Sequence, residues 1–544
     1  MTQFCNPAIA TATATATLAL LGGYNVSATP ALATSPPPPV ATVVTLETGR
    51  ISGAIANEVL SFKGIPYAAP PVGELRWRSP QPVPPWSGVR QATAYGNDCM
   101  QFPDPSEAAP PGTPPAEDCL YVNVWRPAAV QPGKKLPVVV WIHGGAYVNG
   151  GASTPIYDGS TIAQAGVVVV SFNYRLGRFG FFAHPALSAT QEGAIANYTF
   201  LDQLQALRWV QRNIAAFAGD PQQVTLMGES AGGISVMHLL TWKDSKDLFQ
   251  RAIILSGGGR NYLVKVRSLN QSTPNAPSAE TSGIEFARSM GITGTDSAAL
   301  KALRALPADK IAGDLNMTNL VKNPSATYAG GPILDGKIVT STPGEILQRG
   351  KSAQIPILIG STSQDLPAIL PPLQNPLAYF GANAARAKAL YDPQGKLTPL
   401  QLLVAIGADL SMHEPARFVA KQMTAAGQPA WLYRFGYVAQ SLRPQVTGAP
   451  HASELPYLFG TLDARYGKNV TPSDRAAGQI FRSFMINFIK TGNPNGQGLP
   501  RWSAFDPARS QIMLFTPDRG ATFQPDPWKD RLDLVETAAT SSSQ

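Results

Sequence analysis

The stretch "VTLMGESAGGIS", Val224 to Ser235, decides the fold. Val224–Met227 has strand character, "AGGISVMHLL" has helix character, and Gly228-x-Ser230-x-Gly232 lies between them. A strand that turns straight into a helix leaves the turn residue exposed in a strained conformation, and only small neighbours fit around it. Gly228, Ala231, Gly232 and Gly233 meet that demand. A serine hydroxyl is a poor nucleophile at neutral pH, so Ser230 needs a base, an acid to orient it, and donors for an oxyanion. The rest of the chain has to supply them.

Outward from the turn, short β-branched runs alternate with helical patterns, the signature of βαβ units around a mainly parallel sheet. Strands are predicted at Pro137–Ile142, Val167–Phe172, "QVTLMG", "RAIILSGG", "IPILIGS" and "AWLYRFGY". The apolar spacing of "LDQLQALRWVQRNIAAF" predicts an amphipathic helix over Leu201–Phe217. Residues 260–350 and 366–428 read as helical and loop-rich segments lying over the sheet, and no internal repeat is evident. These features place one α/β domain over 43–535, followed by a polar tail over 536–544.

The chain has 544 residues, 44% of them hydrophobic and 14% charged, enough material for a large core. A net charge of +8 favours anionic partners or substrates. Lys and Arg form no concentrated run and no nucleic-acid motif is present, so a nucleic-acid partner is not expected. No charge precedes Glu47, Ala8–Leu21 is mildly apolar, and "ALA" at Ala31–Ala33 resembles a small-residue cleavage site. An export signal over 1–33 is expected, hence a periplasmic or secreted protein, followed by a Pro-rich linker over 34–42. No other apolar run is long enough to span a membrane. Of three cysteines, Cys5 falls in the signal, which leaves Cys99 and Cys119 as an even pair in an exported chain. They read as one disulfide worth about 3 kcal/mol on the chain-entropy argument. A metal site is the poorer reading, because no histidine lies near them.

Five histidines compete for the role of base. His143 precedes Gly144 at a strand end and belongs to another part of the site. His184, beside a proline turn, reads as structural. His238 lies eight residues beyond Ser230 on the same helix, about 12 Å along its axis and out of reach. His413 sits in an apolar helical stretch where a satisfied histidine is the simpler reading. His451, in "TGAPHASELPYLFG", lies on a Gly/Pro-bounded loop after a strand, and the chain order serine, acid, histidine selects it. The oxyanion donors fall on Gly145 and Ala146 of "HGGAY", with the N–H of Ala231 as a third. Asp335 and Asp365 both lie between Ser230 and His451. Asp335–Gly336 is a turn signature in which Asp caps its own backbone, whereas Asp365 leaves the apolar "IPILIG" strand and is preferred.

Together these residues resemble the carboxylesterase type B family of α/β-hydrolases. The resemblance covers about 45–535 through "FKGIPYAAPPVGELRWRSPQP", "EDCLYVNVW", "WIHGGAY", "SFNYRLGRFGFF", "LDQLQALRWVQRNIAAFAGDP", "VTLMGESAGG" and "HASELPYLFG". It implies an α/β-hydrolase fold with helical insertions over the active site. It also implies nucleophile Ser230, histidine His451, oxyanion donors Gly145, Ala146 and Ala231, and a Cys99–Cys119 disulfide. Most members carry Glu where this chain has "SQDLP", so Asp365 stands on the acid position one methylene shorter. A carboxylate of either length can orient an imidazole. The family's cholinesterases hold quaternary ammonium with a tryptophan in the disulfide loop, and the loop here has none, which disfavours choline esters.

The expected activity is serine carboxylic-ester hydrolysis through an acyl-enzyme, with a small-molecule ester as partner and neither metal nor organic cofactor. The positive charge points weakly to esters bearing free carboxylates, of the fumonisin type. The alternative from another class is a non-catalytic adhesion or binding protein on the same fold, a kind of relative that typically loses the nucleophile.

Overall fold

The computed structural model describes residues 42–104, 109–190, 192–260, 266–274, 276–322, 326–366 and 375–541. The expected signal over 1–33 and, except for residue 42, the linker lie outside them. Among the described residues, eleven strands form the central sheet: β1 (Ala54–Ala56), β2 (Val59–Pro66), β3 (Tyr121–Pro127), β4 (Leu136–Ile142), β5 (Val168–Phe172), β6 (Gly219–Glu229), β7 (Arg251–Leu255), β8 (Ile357–Thr362), β9 (Ala430–Phe435), β10 (Gln511–Thr516) and β11 (Gly520–Pro525). Their spatial order is β11-β10-β9-β8-β7-β6-β4-β5-β3-β2-β1. From β5 across to β10 all neighbours are parallel. Antiparallel strands flank that block, β1–β3 on one side and β11 on the other.

The all-apolar runs form the middle of the sheet because helices cover both of its faces and a polar side would have nowhere to go. Val138–Ile142 of β4 and Val168–Val170 of β5 are fully buried. On one face the helix Pro472–Thr491 packs Phe481 and Phe488 against Phe435 and Trp431 of β9, with ring centroids 4.9 and 5.6 Å apart. The predicted helix over 201–217 begins earlier, at Tyr198, and its last turn tightens to 3-10 geometry over Ile214–Phe217. The flanking strands lack an apolar run: β1 is exposed throughout and β11 nowhere fully buried.

Strand order reverses at β4, whose neighbours β5 and β6 both follow it in sequence. Ligands of open α/β sheets bind in the crevice outside the carboxyl ends of strands at such a point. The "HGGAY" loop leaves β4 there and Ser230 leaves β6 beside it.

Cys99 and Cys119 are joined, with Cα atoms 4.9 Å apart and a sequence separation of 20. The loop they close braces the glycine turn after β4. Gln101 donates to the carbonyl of Gly150 (2.7 Å) and accepts from its N–H (3.0 Å), and Asn149 donates to the carbonyl of Phe102 (2.7 Å). The last helix runs Lys529–Ser541, because Glu536 is bound into the body of the protein by Arg417 (3.0 Å) and Lys421 (2.6 Å).

Candidate active site

Ser230 joins β6 to the helix Ala231–Thr241 with φ 54° and ψ −123°. Such a conformation costs a non-glycine residue about 1–3 kcal/mol and persists only where the surroundings enforce it. Its N–H donates to the carbonyl of Leu255 on β7 (3.0 Å) and its carbonyl accepts from Ile234 (2.8 Å). Backbone packs against every glycine around it. A Cβ on Gly228 would meet the carbonyl oxygen of Gly232 at 2.4 Å, and one on Gly233 would meet Gly257 Cα at 2.8 Å. On Gly232 it would meet the carbonyl oxygen of Ile142 at 2.1 Å. We therefore expect Gly232→Ala to lower stability by about 3 kcal/mol, at the upper end for overpacking, which a denaturant titration reads directly. Unchanged stability would mean that β4 is not held against the elbow.

His451 follows β9 and Asp365 follows β8, and the two side chains meet. His451 Nδ1 lies 2.5 Å from Asp365 Oδ1. The other carboxylate oxygen accepts from Ser256 Oγ (2.7 Å) and the N–H of Thr362 (2.9 Å), and Oδ1 also accepts from the N–H of Leu366 (2.8 Å). An ionised carboxylate only accepts, so His451 carries a hydrogen on Nδ1. The Nε2 edge points to the elbow, 3.1 Å from Oε1 of Glu229, the residue before Ser230. Asp365 is fully buried and His451 18% exposed, so the imidazole is the part of this pair open to a ligand.

Burial works against the Asp365 charge, but His451, Ser256 and His413 outweigh it and hold its carboxyl well below the usual range. Burial likewise pushes the His451 imidazole down, yet Glu229, Asp365 and Glu454 together carry it up to about 9. Burial raises Glu229 and Glu454. Among the described residues neither carboxyl oxygen of Glu454 has a hydrogen-bond partner. A base works only in its neutral form, so with the folded pKa raised, activity should fall on the acid side at a pH above the ordinary histidine value of about 6.5. Glu229→Gln removes one of the charges that raise it. The acid limb of kcat/KM against pH should then move down by about one unit. An unmoved limb would mean that Glu229 does not act on the base.

The loop after β4 is shaped for donors. Gly145, Ala146 and Tyr147 have φ of 102°, 52° and 62°, and among the described residues no acceptor takes the N–H of Gly145 or Ala146. Ala231 opens its helix, so its N–H has no intrahelical partner either. A Cβ on Gly144 would sit 3.1 Å from Ser230 Cβ, which brings this loop against the elbow. His143 stacks on Tyr174 with ring centroids 4.3 Å apart, and its Nδ1 is 2.9 Å from the carbonyl of Gly144. It shapes the loop, and burial pushes its pKa down to about 4. Positive φ at Ala146, Tyr147, Ser230, Ser256 and Ala452 gathers backbone strain around one crevice.

The remaining histidines and Asp335 lie elsewhere. Asp335 Oδ1 accepts from the N–H groups of Lys337, Ile338 and Val339 at 3.0, 2.9 and 2.9 Å and so caps its own turn. His184 accepts from the N–H of Ala186 at its helix start (3.2 Å), and both ring nitrogens of His413 are bonded. His238 and Arg260 line a cleft with Ile234, Met237, Gly257 and Pro343. The sequence reading missed Glu229, Ser256 and Glu454. Their only signals are position: the variable residue of the serine motif, a Ser–Gly at a strand end, and a carboxyl three residues past His451. Among the described residues no group of acidic, cysteine and histidine side chains is arranged to hold a metal ion, and no helix is long and apolar enough to cross a membrane.

A strained serine between strand and helix, with a histidine and carboxylate from later strand ends, defines an α/β-hydrolase. The Carboxylesterase family profile matches residues 40–377 and 380–526, so the chain belongs to that family and is a carboxylic ester hydrolase. It is 36% identical over 500 residues to the para-nitrobenzyl esterase of Bacillus subtilis (strain 168), covering 90% of this chain and 97% of that protein. It is 34% identical over 491 residues to the fumonisin B1 esterase of Sphingopyxis macrogoltabida, covering 86% and 85%. Among solved structures, a thermophilic PNB esterase superposes with a TM-score of 0.77 at 32% identity, over 91% of this chain and 99% of that one.

Proposed function

We propose that the protein hydrolyses carboxylic esters through an acyl-enzyme on Ser230, with His451 as base, Asp365 as its orienting acid, and Gly145, Ala146 and Ala231 as oxyanion donors. The observation that carries this reading is the Asp365–His451 hydrogen bond of 2.5 Å, with the Nε2 edge on Glu229, the residue beside Ser230. His451 takes the hydroxyl proton as Ser230 Oγ bonds to the ester carbonyl carbon. The tetrahedral oxyanion rests on the free amides, and its collapse expels the alcohol, which takes the proton back from His451. Water then repeats the sequence on the acyl-enzyme and releases the acid. Stoichiometric labelling of Ser230 by an organophosphonate probe tests it. An unlabelled serine would favour the non-catalytic binding protein.

For the substrate, we propose an ester bearing free carboxylates. The net charge of +8 supports this, and so does the likeness to a fumonisin B1 esterase. The same charge favours attraction over distance, which salt screens. Polyanionic esters should be turned over with a higher kcat/KM than neutral ones at low ionic strength, and the advantage should shrink as salt rises. No preference at low salt would overturn the substrate assignment. Export from the cytoplasm belongs to the same proposal and rests on the N-terminal stretch and the paired cysteines.

A further inference from the structure

Asp365 has a short side chain, so the backbone that bears it must be fixed for the carboxylate to stay on His451. That backbone is gripped from behind by one unusual turn. Between the helices Pro399–Ala408 and Glu414–Ala425, residues Asp409–His413 form a π-helical turn, a rare element that recurs at functional sites. His413 Nε2 lies 2.8 Å from the carbonyl oxygen of Thr362, and Ser411 Oγ shares its one hydrogen between the carbonyls of Leu366 and Gly407, each at 2.8 Å. The carbonyls of Thr362 and Leu366 flank Asp365 in the chain, and the N–H groups of the same two residues donate to its carboxylate. The turn thus holds both residues whose amides position the acid.

The hydrogens of His413 follow from its partners. A carbonyl only accepts, so Nε2 carries a hydrogen. Nδ1 lies 2.7 Å from Asp409 Oδ1, and Asp409 is kept ionised by Arg531 (2.7 Å) and the Tyr391 hydroxyl (2.7 Å). Both ring nitrogens of His413 are thus engaged, and the ring is fixed at both ends. Beyond Asp409, Arg531 and Tyr391, the charged groups around it are Asp365 across β8 and the Glu414–Arg260 pair, and Trp528 packs on its ring at 4.9 Å.

We propose that the π-helical turn Asp409–His413 is a clamp that positions the Asp365 carboxylate, with His413 as its principal positioning residue. The proposal rests on Asp365 being the acid that orients His451. His413→Leu removes the donor to Thr362 and leaves Asp409 paired with Arg531 and Tyr391. It should lower kcat for p-nitrophenyl acetate about 10- to 100-fold, the cost of a small misplacement, with KM little changed. The acid limb of its pH profile should move down as the carboxylate loosens from His451. His413→Gln places an amide donor at similar reach and should recover most of the rate. Ser411→Ala, a smaller lesion on the other flank, should lower kcat about 3-fold and carries the test if the Leu variant does not fold. Wild-type kcat and pH profile in His413→Leu, or in Ser411→Ala where that variant stands in, would overturn the clamp, as would a Gln variant no better than Leu. Asp365→Ala separates the two readings. If it keeps its activity, the acid assignment itself fails; if it is dead while the clamp variants behave as wild type, only the clamp fails.

Discussion

Ser230→Ala is expected to lower kcat for p-nitrophenyl acetate by about 10⁴-fold or more without moving the melting transition by more than a few degrees. Among the described residues the hydroxyl takes part in no hydrogen bond that holds the elbow, since that conformation is fixed by the Ser230 N–H to Leu255, the Ser230 carbonyl to Ile234, and the contacts of Gly228, Gly232 and Gly233. Alanine fits the same backbone, as Ala146 at φ 52° demonstrates nearby. Only the attacking atom is lost. A residual rate above water is expected, because free amides and a binding crevice remain and together supply catalysis without a nucleophile. The variant should also refuse the organophosphonate label that the wild type takes up. Turnover within tenfold of wild type would sink the acyl-enzyme mechanism.

The parts of this site legible in the sequence are those with a local cause. The elbow is a steric statement about small residues, and its three glycines each meet backbone where the motif requires it. His451 follows from elimination among five histidines, and Asp335 excludes itself by capping its own turn. The apolar runs within β4 to β9 announce themselves because parallel strands are buried on both faces. What the sequence hides is what depends on assembly. The strands β1 and β11 are exposed or half-buried at the sheet edges and carry no clear alternation. The polar terminus is helical because Arg417 and Lys421, more than a hundred residues earlier, bind Glu536. His413 is recognisable as a satisfied histidine, yet nothing in "DLSMHEP" tells that its partner is the carbonyl of Thr362. Glu229 and Glu454 act through burial beside His451, and burial of that kind is a property of the packed crevice.

Electrostatics joins these hidden parts to the legible ones. His451 faces Asp365 through Nδ1 and Glu229 through Nε2, so two carboxyls favour its charged form from opposite edges. That arrangement suits a reaction in which the imidazole becomes a cation as the oxyanion forms, and it explains why the base is expected to need alkaline pH.

Asp365→Asn is the sharpest test of the orienting carboxylate, and kcat should fall about 10³- to 10⁴-fold with KM nearly unchanged, because Asp365 is buried behind the imidazole. The side chain keeps its size, so packing is not the issue. Four donors converge on the carboxylate: His451 and Leu366 on Oδ1, Ser256 and Thr362 on Oδ2. An amide has one acceptor atom and one N–H₂ group, so either orientation sets that group against a backbone N–H, of Leu366 or of Thr362. With the N–H₂ toward His451, the ring must accept at Nδ1 and carry its hydrogen on Nε2, where it cannot take the serine proton. With the N–H₂ turned away, the tautomer survives but no negative charge remains to steady the imidazolium. Both outcomes slow the chemical step and spare binding. The loss of that charge should also bring the acid limb of the pH profile down, in the same direction as Glu229→Gln. An Asn variant that retains kcat within tenfold, with an unmoved profile, would remove Asp365 from the mechanism and leave His451 oriented by something else.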